Sequence, residues 1–231
     1  MSVNQSPLPT TRVKRARALV VVLGLVLWFG TQSFLGARAL PPGDYSSAGE
    51  VLSGGDALFS VAAPLHQFLL HNPAWANGLL ILSSLIIDAL AVFLLVRAII
   101  GSSFRPFVGL MVVFALRQAS QALCTLPPPA GMIWHDPGFP SLLVTYSVAN
   151  DFFFSGHTAI AVYGATELAR IRHGWAVGLG VAIALFEAVA VITLRAHYTM
   201  DVFAAIVVAF WVATLVVPLA SWCDRLIESR G

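Results

Sequence analysis

The chain contains several apolar runs of about 20 residues in which apolar and polar positions do not strictly alternate. A run of this length crosses the hydrocarbon core of a bilayer as a helix, whereas barrel strands are shorter and alternate. Only 10% of the 231 residues are charged, against about 25% in a soluble domain. The pattern excludes an ordinary soluble domain and a disordered chain, and it predicts an all-α polytopic membrane protein.

Six transmembrane helices are predicted from these runs, at 18–36, 76–96, 107–126, 155–169, 174–194 and 202–222. Residues 1–17 then form a basic N-terminal segment, 18–222 a single membrane domain, and 223–231 a tail. The first run is long and is followed by a poor cleavage site, so we expect an anchor rather than a cleaved signal peptide.

The placement of lysine and arginine predicts the orientation of the chain in the membrane. With the N-terminus inside, ten of the 13 basic residues lie on the cytoplasmic side: Arg12, Lys14, Arg15, Arg17, Arg97, Arg105, Arg170, Arg172, Arg225 and Arg230. Both termini are then cytoplasmic, and the longer loops face outward. Beyond the N-terminal block no basic patch recurs, so no nucleic-acid partner is expected.

Two polar clusters stand where predicted spans begin on the outer face. The first is Asp-Phe-Phe-Phe-Ser-Gly-His-Thr at 151–158, and the second is Arg-Ala-His-Tyr-Thr-Met-Asp-Val at 195–202. Ionisable residues at membrane depth are costly and are therefore functional candidates. His197 and Asp201 are four residues apart, so they share one face of a helix.

These residue types suit phosphoryl transfer. A carboxylate beside an imidazole fixes its tautomer and raises its basicity, and the Ser155-Gly156 turn at a helix start can hold an anion through backbone N–H groups. One histidine can attack phosphorus while the other protonates the leaving oxygen. Alternatives are a polar anchor at the interface, a metal site, which lacks HExxH-type spacing, and a serine hydrolase, which lacks a Gly-x-Ser-x-Gly elbow. We expect neither a metal nor a cofactor.

The two motifs together resemble the sphingomyelin synthase family, a membrane branch of the type 2 phosphatidic acid phosphatase superfamily. The similar segment runs from Arg117 through Thr-Leu-Pro-Pro-Pro at 125–129 to the second histidine motif at 197–202. Asn150 and Ala149 depart from the glycine and cysteine that family members often carry. The resemblance implies a phosphatidic acid phosphatase type 2-like bundle of six helices, and the compact chain favours a bacterial inner membrane over the Golgi.

The resemblance also implies roles for single residues. His197 is the nucleophile that forms a phospho-histidine, Asp201 orients it, and His157 serves the leaving alcohol and then the acceptor. The site faces the exoplasmic side. The substrate-binding candidates are Arg117, Asp151, Ser155, Gly156, Arg195 and Tyr198.

Charge at the site favours a phosphodiester donor, since a phosphomonoester is nearly a dianion and needs more cations. The predicted function is transfer of phosphocholine or phosphoethanolamine from a glycerophospholipid to ceramide or a diacylglycerol-type acceptor, with release of diacylglycerol. The alternative is a lipid phosphatase or phospholipase C-like hydrolase. The sequence leaves open whether the chain forms a homo-oligomer.

The aromatic residues predicted near the outer face either bind a quaternary ammonium group or form a belt at the membrane interface: Trp134, Tyr146, Phe152, Phe153, Phe154 and Tyr198.

Four charged residues lie within or near the predicted spans: Asp88, Arg117, Glu167 and Glu187. Arg117 is either a structural partner within the bundle or lies near the phosphate, as the resemblance implies. Asp88 and Glu187 are interpreted as structural, with Glu187 pairing with Arg117 or Asp88 or lining a polar cavity. Glu167 is expected to pair with Arg170.

Overall fold

The computed structural model describes residues 8–36, 45–124, 126–144, 146 and 153–230. Over these residues it contains eight α-helices and no β-strand, as the all-helical prediction requires. The helices are α1 (Thr11–Gly36), α2 (Tyr45–Gly54), α3 (Ala57–His71), α4 (Pro73–Ile100), α5 (Arg105–Leu123), α6 (Gly156–Ala169), α7 (Gly174–Thr193) and α8 (Thr199–Arg230).

Five of the described helices are long and apolar enough to cross a membrane, namely α1, α4, α5, α7 and α8. Five of the six predicted spans therefore have the length and composition of membrane helices, and the remaining one stays a prediction. The fourth predicted span, 155–169, is α6, which has 14 residues, whereas a bilayer core requires about 20. Because α6 packs against α4, α5, α7 and α8, most of its apolar side chains are buried in protein.

Long-range ion pairs show how the helices run relative to one another. Arg17 near the start of α1 pairs with Asp224 near the end of α8, at 2.7 Å. Arg105 at the start of α5 pairs with Glu167 near the end of α6, at 2.8 Å. We call this the charged end of the bundle, and the opposite end, where α6 and α8 begin, the histidine end. Which side of a membrane each end faces stays a prediction.

Arg17 belongs to the basic N-terminal segment that the sequence placed on the cytoplasmic side, yet its side chain is buried inside the bundle. Its Nη1 donates to the carbonyls of Ala98 and Gly101, at 3.3 and 2.8 Å. The carboxylate of Asp224 in turn accepts from the Ser103 hydroxyl and the Phe104 N–H, both at 2.9 Å. A buried ion pair is tolerated when further hydrogen bonds satisfy both partners, and this one joins α1, α4 and α8.

The helix α6 is held at the centre by close packing. Its Tyr163 ring lies against Gly109 of α5, where a Cβ atom would overlap the hydroxyl group. That hydroxyl donates to the carbonyl of Arg105 at 3.0 Å, so the buried polar group is satisfied. The contact fixes the depth of α6, and therefore of the residues at its N-terminus.

The histidine end is covered by α3 and the segment 126–144. Asp56 caps α3 by accepting from the N–H groups of Leu58 and Phe59 at 3.1 and 3.4 Å. His66 of α3 is buried with its Nδ1 2.9 Å from the carbonyl oxygen of Thr193, and burial lowers its pKa. These contacts attach α3 to the end of α7.

Candidate active site

A cavity of about 60 Å³ lies at the histidine end, between α1, α5, α6 and the turn that precedes α8. Its walls include His157, His197 and Arg117, together with Trp134 and Gln32. The structure thus brings both histidines of the two sequence motifs to one enclosed space. Two groups that act on one phosphorus atom must be placed in this way.

Asp201 lies beside His197. The Nδ1 of His197 is 3.6 Å from the Oδ2 of Asp201, and the carboxylate is almost completely buried. The same oxygen accepts from the N–H of Tyr198 at 3.0 Å, which holds the carboxylate in the first turn of α8. The pairing distance is slightly longer than a hydrogen bond, as is common for catalytic groups without substrate. Since the carboxylate faces Nδ1, Nε2 is the ring nitrogen suited to attack.

The first motif forms the N-terminus of α6. Ser155 is the N-cap, and its hydroxyl accepts from the N–H of Thr158 at 3.3 Å. The N–H of Ser155 donates to the carbonyl of Asp201 at 3.3 Å, so the two motifs are joined by a backbone hydrogen bond. This bond fixes His157 relative to His197 independently of their side chains.

His157 is buried in the first turn of α6. Its ring meets Trp134 edge-on, with the ring centroids 5.2 Å apart. Within the described residues its Nε2 has no hydrogen-bond partner. A buried polar atom without a partner is uncommon and often marks a functional group. Because His157 lines the cavity, a substrate oxygen is the natural partner.

Arg117 supplies the permanent charge among the described residues that line the cavity. Its Nε donates to the carbonyl of Phe154 at 3.3 Å, and its Nη1 donates to Oε1 of Gln32 at 3.1 Å. Gly156 allows this approach, since a Cβ atom there would lie 3.1 Å from Nε of Arg117. Gln32 was not identified from sequence, although a lone amide in an apolar helix was an available signal.

Two predicted substrate-binding residues point away from this cavity. Arg195 donates from Nη1 to the carbonyl of Ala130 at 2.9 Å and lies over the ring of Phe59. Tyr198 donates to the carbonyl of Pro127 at 3.1 Å, and burial raises its pKa. Both anchor the segment 126–144 instead of lining the histidine cavity. Asp151 and Phe152 lie outside the described residues.

Asp56 links α3 to the second motif, a contact that sequence reasoning missed. Its Oδ2 accepts from the N–H of Thr199 at 2.7 Å, and the Thr199 hydroxyl contacts its Oδ1. The Gly54-Gly55-Asp56 turn before an apolar run is typical of a helix cap. The contact of Asp56 with Thr199 joins residues that are 143 positions apart, which no local sequence pattern indicates.

The prediction that Glu187 pairs with Arg117 or Asp88 is wrong. Glu187 accepts from the Ser83 hydroxyl at 2.6 Å, deep between α4 and α7. Asp88 caps the segment 141–143, accepting from the N–H groups of Leu142 and Leu143 at 2.7 and 3.0 Å. A loop that returns over α4 supplies these donors.

The expected pairing of Glu167 with Arg170 is confirmed, with Nε and Oε1 3.4 Å apart. Glu167 also receives two hydrogen bonds from Arg105, which sequence reasoning did not anticipate.

A protein-family model described as AtPDCT1/2 matches residues 55–217, which is well over half of the chain. The match begins before α3 and extends into α8, so it includes both histidine motifs. Comparisons with curated proteins and with solved structures found no match.

This match corrects the resemblance to sphingomyelin synthases and to the type 2 phosphatidic acid phosphatase superfamily, because the AtPDCT1/2 family is neither. The resemblance depended on two short histidine motifs and a proline-rich segment. Short motifs of this kind reflect the chemistry of a histidine pair, whereas the family model covers most of the membrane helices. The expectation of a phosphatidic acid phosphatase type 2-like bundle followed from that resemblance and has no remaining support.

Proposed function

Because the chain belongs to the AtPDCT1/2 family of membrane phospholipid head-group transferases, we propose that it moves phosphocholine from phosphatidylcholine to diacylglycerol. The family is of the phosphatidylcholine:diacylglycerol cholinephosphotransferase type. The observation that carries the proposal is the cavity shared by His157, His197 and Arg117, with Asp201 behind His197. These groups supply a nucleophile, a proton carrier and a cation in one place.

In the first half of the reaction, the Nε2 lone pair of His197 attacks the phosphorus of phosphatidylcholine. Burial lowers the pKa of His157, so the imidazole is neutral in the empty cavity and takes up a proton when the anionic phosphodiester binds. The bond between phosphorus and the glycerol oxygen then breaks while His157 donates this proton to that oxygen, so diacylglycerol leaves. Phosphocholine is then held on His197 through a phosphorus–nitrogen bond. Asp201 stabilises the positive charge that the imidazole acquires.

In the second half, the hydroxyl of another diacylglycerol attacks the phosphorus. His157 accepts the hydroxyl proton, the phosphorus–nitrogen bond breaks, and a new phosphatidylcholine leaves. Overall, one ester bond between phosphorus and a diacylglycerol oxygen breaks and another of the same kind forms. The equilibrium constant is therefore near one, and the direction follows the concentrations of the two diacylglycerols.

The charge of the cavity supports a phosphodiester donor. Arg117 is the arginine that lines it among the described residues, and the structure turns Arg195 toward Ala130. A phosphodiester carries one negative charge, whereas phosphatidic acid approaches two at neutral pH and needs more cations. We therefore expect phosphatidic acid to be a poor substrate.

Trp134 is proposed to bind the choline group, since its indole lines the cavity beside His157 and lies 5.1 Å from the ring of Tyr146. A trimethylammonium group over an indole gains about 1–2 kcal/mol. Trp134→Leu is expected to lower kcat/KM for phosphatidylcholine roughly 10-fold and that for phosphatidylethanolamine much less. Trp134→Phe, which keeps an aromatic face, is the control. Equal losses with both donors would contradict this role.

The acceptor differs from the one that the sequence resemblance placed first. The activity of the family supports diacylglycerol, and nothing in the family match supports ceramide. Diacylglycerol is also the first leaving group of the proposed reaction. One binding site for a glycerol backbone then serves both halves.

The full chain, purified and reconstituted with phosphatidylcholine, tests the proposal. Diacylglycerol with deuterated acyl chains is added, and mass spectrometry follows the deuterated chains into phosphatidylcholine. Parallel reactions contain ceramide in place of diacylglycerol, or no acceptor. Phosphatidic acid replaces phosphatidylcholine in a further reaction.

We expect deuterated phosphatidylcholine to form in proportion to diacylglycerol, with little free phosphocholine. Release of phosphocholine at a rate that diacylglycerol does not change would indicate a hydrolase instead. Faster transfer to ceramide than to diacylglycerol would contradict the proposed acceptor.

A further inference from the structure

A cleft of about 1070 Å³ opens at the charged end of the bundle, away from the candidate active site. Four arginine side chains line it: Arg97, Arg105, Arg170 and Arg172. They come from the end of α4, the start of α5 and the turn between α6 and α7. Among the described residues that line the cleft, none is acidic. The helix α6, about 20 Å long, separates the cleft from His157.

Glu167 lies beneath the cleft and fixes two of these arginines. Its two carboxylate oxygens accept from Nε and Nη2 of Arg105, at 2.9 and 2.8 Å. Nε of Arg170 lies 3.4 Å from the same carboxylate. One buried carboxylate offsets one of the four positive charges, so the cleft keeps a positive excess. A guanidinium held in two places loses less freedom when it binds an anion.

The turn after α6 directs two arginines to the cleft. Arg172 has a left-handed backbone with φ of 62°, which is uncommon for a residue other than glycine. The turn is closed by hydrogen bonds from the N–H groups of Ile171 and Arg172 to the carbonyls of Leu168 and Ala169, at 2.9 and 3.1 Å. It brings Arg170 and Arg172 to the same cleft although they are two residues apart.

The wall of the cleft beyond the arginines is apolar. Val177 and Val181 of α7 and Phe210 of α8 line it and are exposed. Both helices are candidate membrane spans, so these side chains lie where lipid chains would be. A basic rim that continues into an apolar wall matches a molecule with an anionic head and hydrocarbon chains.

We propose that this cleft binds the phosphate-bearing head group of an anionic membrane lipid, with the acyl chains lying along α7 and α8. Positively charged pockets between membrane helices bind such head groups through arginine and phosphate hydrogen bonds. The proposal does not depend on the transferase activity, because the cleft shares no lining residue with the histidine cavity. Phosphate recognition is common to lipid and free phosphate, and the apolar wall favours the lipid.

Native mass spectrometry of the full chain, released from a neutral detergent, tests the proposal. The probe is short-chain phosphatidylglycerol, and the comparison ligands are phosphatidylcholine of equal chain length and inorganic phosphate. We expect a saturable single adduct with phosphatidylglycerol. Phosphatidylcholine should bind at least about 10-fold more weakly, since it has no net charge to pair with the arginines.

The main variant is Arg170→Gln/Arg172→Gln, for which we expect phosphatidylglycerol affinity to fall roughly 10- to 30-fold. The matched control is Arg15→Gln/Arg225→Gln, which removes the same charge from exposed arginines that do not line the cleft. It should bind within about 2-fold of the unchanged chain. Arg97→Gln alters an exposed side chain and should weaken binding about 5-fold without disturbing the fold.

Equal losses in the two double variants would overturn the proposal, because the arginines would then act only through net charge. Equal binding of phosphatidylglycerol and phosphatidylcholine would do the same. If inorganic phosphate displaces the lipid at a similar concentration, the lipid assignment is wrong. If the main variant does not fold, the result with Arg97→Gln decides, and an unchanged affinity there overturns the proposal.

Discussion

His197→Gln is expected to lower phosphocholine transfer to diacylglycerol at least about 10⁴-fold, because glutamine cannot form the phosphorus–nitrogen bond. Loss of a covalent nucleophile is among the largest single effects in enzymes, since the second half of the reaction loses its substrate. The amide keeps a polar group of similar size in the cavity. The deuterated-diacylglycerol exchange described above measures the effect.

The control for this variant is His135→Gln, which changes an exposed histidine whose Nε2 is 2.7 Å from the Asn77 side chain. We expect it to retain activity within about 2-fold, as surface substitutions usually do. Choline-labelled phosphatidylcholine without acceptor should leave label on the unchanged chain and none on His197→Gln. Exchange by His197→Gln within 10-fold of the unchanged rate would rule out covalent catalysis by this residue.

The sequence predicted well those features that depend on local pattern. Length and hydropathy of the apolar runs placed α1, α4, α5, α7 and α8. The two motifs indicated a histidine pair with an acidic partner, and the structure places both histidines at one cavity. The spacing of His197 and Asp201 was informative because a four-residue separation puts both side chains on one side of a turn.

Among the predicted spans, the fourth differs from the others because α6 is apolar for a different reason. Its side chains are buried against four neighbouring helices, and hydropathy does not distinguish protein from lipid as the surrounding medium. Its 14 residues and close contact at Gly109 are typical of a helix enclosed by protein.

Contacts between distant residues could not be predicted. Arg17 and Asp224 are 207 positions apart, and Asp88 receives its donors from a loop more than 50 positions away. Arg17 was assigned to the basic N-terminal segment without a partner, and Asp88 was considered only as a structural residue or a partner of Glu187. Such pairs are fixed by the way helices pack, which a single sequence does not specify.

Asp201→Asn is expected to leave the fold intact and to lower transfer at least about 10²-fold; a comparable substitution in the serine protease triad costs about 10⁴-fold. The N–H of Tyr198 keeps an oxygen acceptor in the variant, so the first turn of α8 is preserved. The amide can donate to Nδ1 of His197, which favours the tautomer with hydrogen on Nε2. The lone pair needed for attack on phosphorus is then absent from that nitrogen.

Loss of the negative charge of Asp201 is also expected to lower the rate of transfer. His197 becomes cationic when phosphocholine is attached, and the buried carboxylate 3.6 Å from Nδ1 stabilises that cation. The measurement is kcat in the exchange assay together with thermal unfolding of the variant. The matched control is Asp136→Asn, an exposed carboxylate that accepts from the Gly138 N–H at 2.8 Å. Turnover close to the unchanged rate in Asp201→Asn would refute the pairing, since both the tautomer and the charge would then be irrelevant to the chemical step.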